Sequence, residues 1–232
     1  MTINHNIKLK VPLIQQQKGS YHCQIATCLM IMEFYGDKIP YEELVEKMGP
    51  YLLETGMDRE GISTFLVKRG YDVLSMHRDL NVIDNSIENS TEKDLEKLKT
   101  ALQELPINEV NKYQREKLAL DIEYIKAGGK LSYSLANLET IDSYLGKNIP
   151  VVLGVRNNAL HLNPGNKNNH SIVVIGKENN DYILNDPSPK TQGEYKVNKD
   201  ILLQAWYSNS AYILIVMGRD HESEKGATPA VL

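Results

Sequence analysis

The chain has 232 residues, 41% of them hydrophobic and 24% charged, enough for one well-packed core or two small lobes. A net charge of −4 leaves no basic footprint for nucleic acid, no apolar run approaches a membrane span, and the N-terminus lacks the apolar stretch of a secretion signal. The two cysteines, Cys23 and Cys28, lie five positions apart on one predicted helix and face different ways, so no disulfide is expected and a reducing, cytoplasmic setting is.

The first predicted element is a helix from Cys23 to Gly36, with apolar residues at Ala26, Leu29, Met30 and Phe34. Its N-terminal turn would hold Cys23, where unpaired N–H groups and the positive end of the helix dipole favour thiolate over thiol. Cys28 fits a core position instead. Short helices follow at Tyr41 to Met48 and Arg59 to Arg69, with Phe65 and Leu66 directed to the core and Gly70 as a stop; a strand follows at Tyr71 to Met76. Residues 85–130 read as a charged helical insertion, opened by a capping-box-like Thr91 and Asp94 and closed by Gly128-Gly129. Their position between the Cys23 helix and the later strands leads to the expectation that these helices cover a cleft.

Leu138, Ile141 and Leu145 give the next helix a buried stripe. Strands are then expected at Ile149 to Val155, Ser171 to Gly176, Asp181 to Asn185, Glu194 to Val197 and Ala211 to Met217, with Asn198 capping a helix that runs to Trp206. Asn168-Asn-His-Ser-Ile-Val-Val-Ile-Gly176 and Tyr182-Ile-Leu-Asn-Asp-Pro187 read as a β-hairpin. A turn centred on Glu178 would set Asp186 opposite His170, whereas a two-residue Asn179-Asn180 turn would break that pairing. Successive strand residues face opposite ways, so only one of Asn185 and Asp186 can meet His170, and Asp186 is the choice. The remaining histidines read as peripheral: His5, His77 and His221 as solvated, His161 as a loop residue, and His22 as a neighbour of substrate or a local cap.

The Gln17 to Cys23 interval, the Cys-x-x-Ala helix ending in Tyr-Gly, and His-Ser-Ile-Val-Val-Ile-Gly with Asn-Asp-Pro resemble the bacteriocin-processing (double-glycine) peptidases within the papain-like cysteine peptidase superfamily. The likeness covers the N-terminal 36 residues and most of residues 137–217. It departs at Gln24, where relatives usually carry glycine, and at His22, where many carry a small or acidic residue. The resemblance implies an α+β papain-like fold: an N-terminal helical lobe with the nucleophile helix packed on a C-terminal, largely antiparallel β-sheet, plus the helical insertion. It also implies a single domain in two lobes over residues 1–218 with a flexible tail at 219–232.

Roles for four positions follow from the same resemblance. Cys23 would be the nucleophile, His170 its general base and then acid, Asp186 the group orienting His170, and Gln17 an oxyanion donor together with the Cys23 N–H. The implied function is hydrolysis of a peptide or isopeptide bond through a Cys23 thioester. Acyl transfer to an amine would use the same four residues, and a peptide-binding module without activity is the non-enzyme alternative. The expected partner is a peptide or acyl-amide substrate, with no cofactor, no metal, no nucleic acid and no membrane. The chain carries no Gly-x-x-x-x-Gly-Lys phosphate loop, so no fused export ATPase is expected.

Overall fold

The computed structural model describes residues 6–53, 56–57, 59–78, 87, 89–165, 168–191 and 193–219. His5, His221 and the expected tail over 220–232 lie outside them, as does the opening of the insertion at 85–86. Arg219, expected to begin the tail, is the last residue of a strand.

The chain opens on β1 (Ile7–Lys8), then α1 (Cys23–Phe34), α2 (Tyr41–Met48) and a 3-10 turn at Gly49–Tyr51. A two-stranded ribbon, β2 (Leu52–Leu53) and β3 (Gly56–Met57), leads into α3 (Arg59–Lys68) and β4 (Tyr71–Met76). The insertion supplies α4 (Glu92–Glu104) and α5 (Lys112–Lys126), followed by β5 (Lys130–Ser132) and α6 (Leu138–Leu145). The second half runs β6 (Val151–Arg156), α7 (Asn157–Leu160), β7 (Asn169–Glu178), β8 (Asp181–Asn185), β9 (Glu194–Asn198), α8 (Lys199–Tyr207) and β10 (Ile213–Arg219).

Eight strands form one sheet in the order β5-β4-β10-β6-β7-β8-β9, with β1 added to β7. Among the described residues, only the β4–β5 pairing is parallel. Two short strands, β1 and β5, carry no alternating pattern and escape a reading by periodicity. Long runs in β6 and β7 are buried residue after residue, because helices cover the sheet on both faces. α1 is buried over eight consecutive residues from Ile25 to Met32, so it is the central helix of the core and not an amphipathic surface one. It ends where Gly36 takes φ +78, a conformation that costs glycine nothing. Past that stop, Asp37 accepts two hydrogen bonds from Arg69, at 2.6 and 2.7 Å, which ties the end of α1 to the end of α3.

The insertion is more than a solvated elaboration. Thr91 and Asp94 form the expected reciprocal cap of α4. α5 buries Leu118, Asp121, Ile122, Tyr124 and Ile125, and Tyr124 Oη donates to the Val73 carbonyl at 2.7 Å. α5 is therefore part of the core, and β5 behind it extends the main sheet.

The hairpin takes the two-residue turn yet keeps the His170–Asp186 contact that this turn alone would break. Glu178 pairs with Asp181, so the loop is the two-residue Asn179-Asn180 turn, with Asn179 at φ +57. Continued without interruption, that register would put Asp186 opposite Val173, on the face away from His170. A β-bulge between Val174 and Gly176 inserts one residue, and Val173 then pairs with Asn185. Asp186 is thereby carried to the face shared by Ile172 and His170, one pair further along, within diagonal reach.

Candidate active site

Cys23 begins α1 and is partly exposed. The N-cap residue, His22, makes no side-chain capping bond, so the first turn keeps its donor character beside the thiol. α1 packs on β7, where Thr27 Oγ1 and Ser171 Oγ meet at 3.1 Å. That contact sets Cys23, one helical turn before Thr27, beside His170, the residue before Ser171. Both line a cleft of about 490 Å³.

His170 is 7% exposed, and its Nε2 lies 2.7 Å from Asp186 Oδ1. With Nε2 so engaged, Nδ1 is the ring nitrogen left to serve Cys23. Burial pushes the imidazole pKa down, but the hydrogen bonds and charges of Asp186 and Cys23 outweigh it and raise it to about 10. The proton is therefore held firmly on His170 at neutral pH.

Asp186 is fully buried. Its Oδ1 also accepts from the Ser188 N–H at 2.8 Å, while Oδ2 accepts from Tyr195 Oη at 2.9 Å and lies 3.3 Å from His161 Nε2. Burial would lift the carboxyl, but the hydrogen bonds from His161, His170 and Ser188 and the imidazolium charge win, holding it well below the usual carboxylate range. Burial, together with the Asp186 charge, pushes the Tyr195 phenol far above its ordinary value, so Tyr195 remains a donor. His161, expected as an ordinary loop residue, and Tyr195, on β9 facing Leu184, both belong to this carboxylate's shell. Neither has a local sequence signal, because both arrive by long-range pairing.

Asn185 faces the other way and donates through Nδ2 to the Val11 carbonyl at 3.0 Å, holding the segment before α1. Gln17 is exposed, and it bonds through its backbone: its N–H donates to Tyr41 Oη at 3.3 Å and its carbonyl accepts from Ser20 Oγ at 2.7 Å. Of the three consecutive glutamines, Gln16 lines the cleft. Its N–H donates to the Pro187 carbonyl at 2.9 Å, and its Nε2 donates to the Ser20 carbonyl at 2.7 Å, leaving a second amide N–H. Gln16 thus docks on the Asp186-Pro187 loop, next to Gln17 in the chain.

Gln24 lines the cleft directly after the thiol, with Asn157, Asn168, Asn169 and Asn209 around it. From the insertion, Tyr113 at the start of α5 lines the cleft. Cys28 is 2% exposed, its Sγ faces Met32 Sδ at 3.7 Å, and burial pushes its thiol pKa up, which fits a packing role. His77, expected to be solvated, is fully buried: it continues the inward face of Tyr71, Val73 and Ser75, so strand parity outweighs its polar flanks.

A family model described as the Peptidase_C39 like family matches residues 8–213. No curated protein matches significantly. Among solved structures, a chain described as a C39-like peptidase from Bacillus anthracis aligns at TM-score 0.50 and 14% identity, over 93% of this chain and 99% of that one. The peptidase domain of Streptococcus ComA, a bi-functional ABC transporter, aligns at 0.49 and 16%, over 89% and 98%. A double glycine motif protease from an AMS/PCAT transporter, in complex with its leader peptide, aligns at 0.48 and 14%, over 91% and 96%. Helices on a largely antiparallel sheet are the papain-like arrangement expected, and at these identities the likeness is one of fold. Among the described residues, no helix is long and apolar enough to cross a membrane.

Proposed function

The chain belongs to the Peptidase_C39 like family, and on that premise we propose that it hydrolyses a peptide or isopeptide bond through a thioester on Cys23. The observation that carries this reading is one cleft lined by both Cys23 and His170, with the ring nitrogen of His170 turned from the cleft held 2.7 Å from a buried carboxylate. The Cys23 thiolate attacks the scissile carbonyl carbon while His170 holds the proton. As the tetrahedral intermediate collapses, the C–N bond breaks and the imidazolium protonates the leaving amine. Water then attacks the thioester, giving up a proton to His170, and the acid leaves as the Cys23 thiolate is regenerated beside the imidazolium. Asp186 orients the ring throughout. The amide side chains around the cleft offer donors and acceptors suited to an extended peptide backbone.

The oxyanion forms beside the Cys23 N–H, and we assign the second donor to Gln16 in place of Gln17, because Gln16 lines the cleft. Gln16→Ala should lower kcat by about 10²–10³-fold with little change in KM, while Gln17→Ala should stay close to the parent. The opposite ranking in steady-state kinetics would return the role to Gln17.

Hydrolysis and acyl transfer share every step up to the thioester. Product analysis with a peptide substrate at rising concentrations of an added primary amine separates them. A hydrolase gives free acid as the main product until the amine is in large excess, whereas saturable amide formation at low amine would reveal a second, amine-binding pocket and overturn the hydrolytic assignment.

A further inference from the structure

Away from the cleft, three fully buried ionisable side chains converge: Glu60 in the first turn of α3, His77 just after β4, and Asp121 in the middle of α5. One ligand atom from each lies within 4.8 Å of the other two. We propose that Glu60, His77 and Asp121 bind one divalent transition-metal ion of the zinc class, which staples the insertion to the core.

The spacing carries the argument. His77 Nε2 is 3.5 Å from Glu60 Oε1 and 3.6 Å from Asp121 Oδ1, beyond the ordinary N–H···O hydrogen-bond range for both pairs. Ligands at about 2.0–2.1 Å from a tetrahedral Zn²⁺ stand roughly 3.4 Å apart, close to both separations, whereas an octahedral Mg²⁺ would draw them to about 3.0 Å. A histidine nitrogen also argues against Ca²⁺ and Mg²⁺, which take oxygen ligands.

Asp121 gives an independent indication. Its Oδ1 is buried with no hydrogen-bond partner and faces His77, while its Oδ2 accepts from Tyr133 Oη at 2.7 Å. A carboxylate with one oxygen held by a donor and the other directed at a neighbouring ligand is how supporting residues orient a metal-binding group. Charge agrees as well. Two buried carboxylates and a neutral imidazole around a 2+ ion sum to zero, a balance a fully buried site requires. Full burial makes the ion structural, with no access for substrate. Its reach is nonetheless functional, since Asp121 lies on the same helix as Tyr113, which lines the cleft.

The test uses the full chain as a Cys23→Ala variant, so that no cleft thiolate competes for metal. After chelator dialysis and addition of Zn²⁺, elemental analysis of the desalted protein should give about one equivalent per chain, and the unfolding temperature should rise with free Zn²⁺. Adding Asp121→Asn should abolish retention and the temperature rise together. If that variant fails to fold, the Co²⁺ form of the Cys23→Ala chain decides: it should show the intense visible absorption of a tetrahedral site without a thiolate charge-transfer band. Absence of retained metal and of any temperature rise would overturn the proposal and leave a buried ionic cluster. Equal retention by the Asp121→Asn chain would also overturn it.

Discussion

Cys23→Ala should keep the fold and lower peptide turnover by about 10⁴-fold or more, since removal of a nucleophile from a group that acts as a unit leaves only binding and oxyanion contacts. Alanine is the best helix former, Cys23 is partly exposed at the first position of α1, and the surrounding core begins at Ile25, so stability should change by no more than about 1 kcal/mol. Intact-mass measurement with a thiol alkylator gives the companion result. The native parent should take one adduct, at Cys23, while Cys28 should stay unmodified until the chain unfolds, because it is buried and its thiol pKa is pushed up. An adduct on native Cys23→Ala, or retained turnover, would place the chemistry elsewhere.

Much of the fold was legible because its elements are long or sharply punctuated. The bounds of α1, α2, α3, β4 and β8 follow from apolar spacing and from stops such as Gly36 and Gly70. The candidate site was legible at Cys23 and His170, which line one cleft and whose neighbours carry a family likeness, and less so where register decides. Three consecutive glutamines precede Lys18, and a shift of one residue in an extended segment turns a different side chain inward. The backbone bond from Gln16 to Pro187, made through long-range packing, selects among them. Likewise the two-residue turn alone would have broken the His170–Asp186 contact, and the bulge that restores it leaves no compositional mark other than Gly176. That glycine sits where an added Cβ would fall 2.2 Å from the Ile7 carbonyl oxygen. His77 was misread for a related reason: its polar flanks suggested solvent, but its partners Glu60 and Asp121 are distant in sequence and meet only when α3, β4 and α5 pack.

Asp186 should reveal itself through pH. His170 is raised to about 10 with Asp186 as a cause, so the wild-type alkaline limb of kcat/KM, where the general acid loses its proton, should fall near that value. Asp186→Asn keeps an oxygen that can accept from His170 but removes the negative charge, so the limb should move to lower pH with a modest loss of rate. Asp186→Ala removes the acceptor as well and should cost about 10²–10⁴-fold in kcat. It also leaves a buried imidazolium without its counter-charge, at about 3–5 kcal/mol of stability. The linkage has a definite sign. A raised histidine contributes stability fully below its ordinary value near 6.5 and loses it as pH climbs toward about 10. A depressed carboxyl contributes above its ordinary value and loses it as pH falls below the usual carboxylate range. The gap in unfolding temperature between wild type and Asp186→Asn should therefore be widest at about pH 5–6 and close toward pH 10. An alkaline limb that stays in place in Asp186→Asn would mean that the carboxylate positions the ring without holding its proton. Tyr195, Ser188 and His161 would then be the shell of a purely geometric clamp.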